Sequence, residues 1–203
     1  MAKAQPNSGW DFMIHPATTA KVWNACALFM AMLSYCASTQ AQQICSSSIP
    51  LTRPDSRYEP VFGATPSGSE LRDKVTGLIW QRCAIGTVWN TTNSTCAPTP
   101  PATTAQKFKW TDALEVARTT PASAAADGRA WRLPNQAELY SLPERACYGP
   151  ALNITYFAND PAGWFWSSSP HRGSASMAWI VNTYNGEDYV NNKDYLFFVR
   201  LVR

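Results

Sequence analysis

Histidine is nearly missing from this chain, with His15 and His171 the only two in 203 residues, and no two cysteines stand in a CxxC arrangement. A structural zinc site draws on closely spaced Cys and His ligands, so that use of the cysteines is excluded. Charged residues make up only 15% of the sequence, the formal net charge is +3, and lysines and arginines form no run. A nucleic-acid footprint needs a basic patch or stripe, and this composition supplies none. Long apolar stretches are lacking too. The run Val22–Cys36 (VWNACALFMAMLSYC) is shorter than the roughly 20 residues a bilayer-spanning helix requires.

That run has a different use. Lys21 stands just ahead of it, and Thr39-Gln40-Ala41 places small residues where a signal peptidase cuts. Residues 1–41 are therefore read as a secretory signal cleaved after Ala41, with no transmembrane segment expected beyond it. The expected destination is the periplasm, the outer surface or the medium. Cys45, Cys83, Cys96 and Cys147 remain after cleavage. An even set in an oxidising compartment implies two disulfides, for which there are three pairings. Cys83 and Cys96 flank a short Asn/Thr-rich excursion (AIGTVWNTTNST) and are expected to pair with each other. Cys45 would then tie an N-terminal arm to Cys147.

Residues 42–74 are rich in Ser, Pro and Arg without periodicity and read as that arm; an ordered domain is expected over residues 75–203. It opens with "VTGLIWQRC", whose β-branched and aromatic residues suggest a strand. Lys109–Thr119 is helical by pattern, with Trp110, Ala113, Leu114 and Ala117 on one face and a capping box at Asp112 and Glu115. A second capping box, Asn135 with Glu138, starts a short helix in "WRLPNQAELYSL". Arg132 and Glu138 are read as an ion pair that locks this loop rather than as a catalytic pair. From Trp164 onward "WFWSSS", "SMAWIVNTY" and "YLFFVRLVR" read as strands, and Asn185-Gly186 marks a hairpin. The fold class is α+β: two short helices and a C-terminal antiparallel sheet, stapled by disulfides.

The last forty residues interleave aromatics with hydrogen-bonding side chains. Such a hairpin is either the wet face of an ordinary sheet or a surface built to hold something. No cofactor is implied. Ser167, Ser168 and Ser169 lie near His171, yet no nucleophile-elbow glycine pattern accompanies them, so hydrolase chemistry is not expected.

Taken in order and at their spacing, "TGLIWQRC", "WRLPNQAELYSL", "ACYGPALNITYF", "GWFWSSSP", "AWIVNTYNG" and "FFVRLVR" resemble the exported bacterial domain family named after the Legionella collagen-like protein C-terminal domain. The resemblance covers about Val75 to Arg203. It implies a C-type-lectin-like fold, related to that of formylglycine-generating enzymes, and a binding or adhesive role toward a protein or glycan, including anionic ones. Homo-oligomers are compatible with it, and a structural envelope or assembly subunit is the alternative. The resemblance extends to variable proteins of diversity-generating retroelements, whose diversified region is a hairpin of this kind. It further implies that Trp164, Trp166, Trp179, Val181, Phe198, Val199, Leu201 and Val202 form an interior skeleton. The displayed ligand-binding set would be His171, Arg172, Ser174, Ser176, Tyr184, Asn185, Glu187, Asp188, Tyr189, Asn191, Asn192, Asp194 and Tyr195, looking outward as one patch. Copper oxidase chemistry of the related enzymes needs paired late cysteines, and none follows Cys147. Asp188, Asn191, Asn192 and Asp194 offer hard oxygens that could hold calcium, but the EPN and WND tripeptides of calcium-dependent sugar binders are absent, and no metal is expected.

Overall fold

The computed structural model describes residues 43–121 and 127–203; the secretory signal expected over residues 1–41 lies outside them. Among the described residues no helix is long and apolar enough to cross a membrane. Both expected disulfides are present, Cys45–Cys147 and Cys83–Cys96, and the fold is α+β with few helices and several sheets.

An arm does lie over the domain, but it is shorter than expected. β1 (Ile44–Cys45) pairs antiparallel with β8 (Cys147–Tyr148), and Cys45 faces the cysteine it is bonded to. Behind it, the Gln43 amide donates to the carbonyls of Pro150 and Leu152 at 2.8 and 2.6 Å. Glu144 accepts the Thr52 N–H and hydroxyl at 2.8 and 2.9 Å and the Arg53 N–H at 2.5 Å. The chain then enters the domain well before residue 75. β2 (Tyr58–Pro60), β3 (Glu70–Asp73) and β4 (Ile79–Gln81) form one antiparallel sheet, with Tyr58 and Leu71 buried in the core. A boundary between residues 74 and 75 therefore cuts a β-hairpin. Its turn is set by Asp73, whose carboxylate accepts the Val75 N–H and the Thr76 hydroxyl. Gly77, at φ +75°, supplies the left-handed residue. Only Ile79–Gln81 of "VTGLIWQRC" is strand for this reason.

The excursion between the paired cysteines is a hairpin of β5 (Thr87–Asn90) and β6 (Thr95–Pro98). Trp89 packs on that disulfide, and the Arg82 guanidinium covers the indole at 3.3 Å. α1 spans Trp110–Thr119, one residue inside the expected range. Its expected capping box is not formed: Lys109 is the N-cap without a side-chain bond, and Glu115 instead pairs with Arg118. Tertiary bonds start the helix, from the Trp110 N–H to the Lys193 carbonyl at 3.0 Å and from its indole to the Ser167 carbonyl at 2.8 Å. α2 (Gln136–Tyr140) is capped as expected, with Asn135 accepting the Glu138 N–H at 2.9 Å and Glu138 accepting the Asn135 N–H at 2.8 Å.

The largest sheet runs β11 (Asp188–Asn192), β10 (Met177–Asn182), β9 (Trp164–Pro170), β12 (Phe197–Phe198), β7 (Lys107–Phe108). It is antiparallel except that β12 lies parallel to β9. The chain leaves β11 at one edge and re-enters beyond β9, and this crossover, unlike a hairpin, permits a parallel partner. Both faces of the sheet are covered. Trp166, Ala178 and Ile180 pack with Ala113 and Ala117 of α1, while Phe165 and Val181 pack with Leu139 of α2. With no wet face at its centre, β10 buries Ala178, Ile180 and Val181, and Trp179 is only half-buried. Burial on both sides leaves "SMAWIVNTY" without the one wet face that an alternating strand presents.

Val199–Arg203 threads between these layers. Ile85, Gln81 and Ile79 donate their N–H groups to the carbonyls of Val199, Leu201 and Arg203, while Val202 exchanges two backbone bonds with Arg132. Arg200 and Asp160 form a fully buried ion pair, and the same guanidinium donates to the carbonyls of Gln81 and Arg82 at 2.7 and 2.6 Å. Burial pushes the Asp160 carboxyl above its ordinary range, against the pull of Arg200 and the Ala84 N–H. Removing one member of such a pair leaves burial unopposed. We expect Arg200→Ala to lower the unfolding free energy by about 3–5 kcal/mol, and Arg200→Met combined with Asp160→Leu to recover part of the loss, both measured by urea denaturation.

Acid sensitivity follows from two other carboxylates. Burial raises Asp73, but bonds from Arg57 (2.8 and 2.5 Å), Thr76 and Val75 outweigh it and hold the group below its usual range. Glu144 is held down in the same way, burial being outweighed by the N–H groups of Ala146, Thr52 and Arg53 and the Thr52 hydroxyl. A carboxyl depressed on folding stabilises fully above its unfolded value, about 4, and ceases to do so as pH falls through the lower folded value. The stabilisation from these two carboxylates should be fully present above about pH 5 and be lost below about pH 4; in urea midpoints, Asp73→Asn should flatten that acid limb.

Candidate functional site

β11 is one edge of the main sheet, and most of the candidate ligand-binding residues lie on it or in the loops at its ends. At one end is the turn from β10 to β11. Gly186 there adopts φ +80°, and a Cβ would come within 3.2 Å of Pro143 and 3.3 Å of Arg145, so both the backbone and the packing select glycine. Arg145 donates to its carbonyl at 2.8 Å. Asn182 accepts the Tyr184 N–H at 2.9 Å, and Asn185 accepts the Glu187 N–H at 3.2 Å. At the other end, Asn191 accepts the Asn192 N–H at 2.8 Å and Asn192 accepts that of Asp194 at 2.9 Å. Lys193 staples this turn to the loop after β9 through its N–H on the Ser176 carbonyl (2.8 Å) and its ammonium on the Ala175 carbonyl (2.7 Å). The Ser174 and Ser176 hydroxyls bond each other at 3.0 Å.

These bonds sort the expected set into two classes. Asn185, Asn191, Asn192, Ser174 and Ser176 shape turns. Asp188 accepts from the Gln136 amide at 2.5 Å, which ties the edge strand to α2, and Asp194 faces Lys109 at 3.4 Å. His171 is half-buried edge-on against Trp179, 6.0 Å between ring centres, with its Nδ1 lacking a hydrogen-bond partner among the described residues. The side chains of Arg172, Tyr184, Glu187, Tyr189 and Tyr195 are exposed and form no hydrogen bond or ion pair within the described residues. Tyr184, Tyr189 and Tyr195 expose 50, 62 and 60% of their surface. Tyr195 stacks on Phe197, and Tyr184 leans against Gly149.

The single outward patch expected from the sequence is divided. Asp188 and Asn192 share a face with Val181 and Met177, whereas Tyr189 and Asn191 share the opposite face with Ile180 and Ala178. What unites them is the edge itself. The bonds of Asn182 N–H to Glu187 and of Lys193 N–H to Ser176 fix the ladder's alternation, so the backbone groups of Asp188 and Val190 point to the open side. Of the oxygens considered for calcium, those of Asn191 and Asn192 are engaged in turns, Asp188 accepts from Gln136 and Asp194 faces Lys109. Among the described residues, no cluster of three His, Cys, Asp or Glu could hold a metal ion. Ser167 donates to the Trp179 carbonyl at 2.8 Å and Ser169 accepts from the Gln136 N–H at 3.0 Å; neither bonds His171.

The sequence profile of the Lcl C-terminal domain matches residues 69–203. The chain belongs to this family. No curated protein matches it. The matched segment of the Lcl domain begins at β3 and takes in the whole five-stranded sheet. Sequence reasoning missed Gln136 and Lys193, the two side chains that hold the edge in place. Neither carried a local signal, because each acts on a partner far along the chain.

Arg132 and Glu138 form the expected ion pair, bidentate at 2.7 Å for both bonds. The Arg132 bond holds the Glu138 carboxyl below its usual range in spite of partial burial. Asn135→Ala removes half of the capping box that orients α2, and with it the seat of Gln136. A loss of about 1 kcal/mol is expected, together with faster hydrogen exchange at the Leu139 amide.

Proposed function

We propose that this Lcl domain is an exported, non-catalytic binding module that holds its ligand along the β11 edge and the loops at its two ends. The carrying observation is the separation of roles there: backbone turns are fixed by Asn, Ser and Lys193, while the exposed side chains of Arg172, Tyr184, Glu187, Tyr189 and Tyr195 form no hydrogen bond or ion pair among the described residues. A rigid frame with free tyrosines lowers the entropic cost of binding, since Tyr offers large amphipathic area with few rotors. Free backbone groups at Asp188 and Val190 suit an added strand or a polar rim. The site is an edge rather than a hollow, which favours a protein surface over a free sugar. A C-type-lectin-like descent of the fold, delivery to the cell surface, and diversification of the hairpin accord with this reading.

Printed arrays of proteins and glycans probed with the full chain test it. Tyr184→Ser, Tyr189→Ser and Tyr195→Ser together should weaken the captured interaction by about tenfold or more, while unfolding free energy moves by less than about 0.5 kcal/mol per site. Retained binding in that variant would remove the edge as the site. Self-association as the sole interaction would favour a structural subunit.

A further inference from the structure

β11 has a strand neighbour, β10, on one side only. Along β11, residues bonded to β10 alternate with residues whose N–H and C=O face the other way, and these are Asp188, Val190 and Asn192. Asn192 is already used: its N–H meets the Asn191 side-chain oxygen at 2.8 Å and its carbonyl the Tyr195 N–H at 3.1 Å. The backbone groups of Asp188 and Val190 have no partner among the described residues. Unpaired groups on a strand edge template another strand, and here they are limited to two residues spaced i, i+2.

That limit selects the strand. When β11 is laid antiparallel against β11 of a second copy, three registers bring free groups into hydrogen-bonded pairs. Asp188 against Asp188 sets like charges opposite each other, which is destabilising, and it faces Val190 with Gly186, whose N–H and C=O already bond Asn182 and Arg145. Val190 against Val190 faces Asp188 with the engaged Asn192. Asp188 against the partner's Val190 uses every free group and puts Tyr189 against Tyr189 at the centre. Such a central pair is of the non-hydrogen-bonded kind, in which side chains approach most closely, and Tyr189 is 62% exposed in the single copy. Charge agrees with this register. Glu187 stands at one end of β11, and Arg172 lies in the loop that Lys193 staples to the other; both are exposed and form no ion pair among the described residues. Antiparallel pairing carries Glu187 of each copy to the end that bears Arg172 of the other.

We infer that β11 pairs antiparallel with β11 of a second copy in the Tyr189-centred register, joining two five-stranded sheets in a two-fold dimer. The pairing uses up the free backbone groups of β11, so this contact closes at two copies. The dimer covers the edge, and a ligand has to part it; this last step rests on the reading of β11 as the binding edge. One strand of contact buries less than the roughly 1,200 Å² of a stable interface, which puts the dissociation constant on the order of 0.1 mM.

Sedimentation equilibrium of the full chain from about 10 µM to about 1 mM tests the pairing. A monomer–dimer equilibrium is expected, and a chain that stays monomeric throughout overturns the inference. Cross-linking tests the register, with Cys26→Ser and Cys36→Ser in every sample so that the introduced thiol stands beside cysteines already in disulfides. Tyr189→Cys sets two thiols on Cα atoms about 4.5 Å apart, within reach of a disulfide, and should give a covalent dimer under mild oxidation. Asn191→Cys should not, since its two copies stand four residues apart along the ladder, about 13 Å; equal cross-linking at both positions overturns the inference. Glu187→Arg should raise the dissociation constant about tenfold, two surface ion pairs being turned into repulsions, and adding Arg172→Glu should restore it; no restoration counts against the pairing. A monomer whose array capture still needs the three tyrosines would end this inference and leave the binding edge standing. A cross-linked dimer whose array capture ignores the tyrosines would support the pairing and end the reading of β11 as a ligand site.

Discussion

The buried pairing of Arg200 with Asp160 is the contact on which the rest of the architecture turns. Arg200 sits in Val199–Arg203, and from that one segment it reaches the loop before β9 through Asp160 and the end of β4 through the carbonyls of Gln81 and Arg82. Its neighbours extend the link on alternate sides. Val202 bridges to Trp80 and Arg132, and Arg203 reaches Glu70 in β3. Two sheets that share no strand thereby acquire a common core. A guanidinium suits this position because its fork of donors can satisfy a carboxylate and two carbonyls at once, which a lysine could not do. The aromatic rings of Phe157 and Phe165 lie at 4.7 and 5.7 Å from the same group and exclude water from it.

Local chemistry was legible in the sequence where a few neighbouring residues decide it. The Asn135–Glu138 box, the Gly186 turn and the pairing of Cys83 with Cys96 are all settled within a dozen or so positions. Features fixed at long range were not. Nothing near Trp110 announces that Lys193 and Ser167 will start α1 in place of a capping box. Nor does the pattern of "SMAWIVNTY" announce that a helix covers each face of β10, since alternation assumes one wet side. The arm boundary failed for a related reason: Tyr58 and Leu71 are embedded in Ser, Pro and Arg, and their burial depends on Leu142, Leu152 and Val202, far along the chain.

The candidate site was legible in position and misleading in role. A cluster of Asn, Asp, Ser and Tyr reads as one class of polar surface, yet these residues divide by the length of the side chain. Short amides, carboxylates and hydroxyls reach their own backbone within one or two residues and are drawn into turns, as Asn185, Asn191 and Asn192 are. A tyrosine hydroxyl stands too far from its own backbone to do this. Tyr184, Tyr189 and Tyr195 therefore stay available while the shorter residues give them fixed mounting points.

An open strand edge is normally a hazard, because unpaired N–H and C=O groups template association. Here the edge is short and its ends are pinned, by Gln136 on Asp188 and by Lys193 on the neighbouring loop. The free tyrosines and Arg172 belong to none of the buried clusters. On the proposed reading, substitution at Arg172, Tyr184 or Tyr189 would change the binding surface without touching the Arg200 link or either core cluster, so stability and specificity would be carried by different residues. That independence is the physical condition a surface must meet if it is to vary from one copy of a fold to the next, and β11, an edge strand whose turns are already held, meets it.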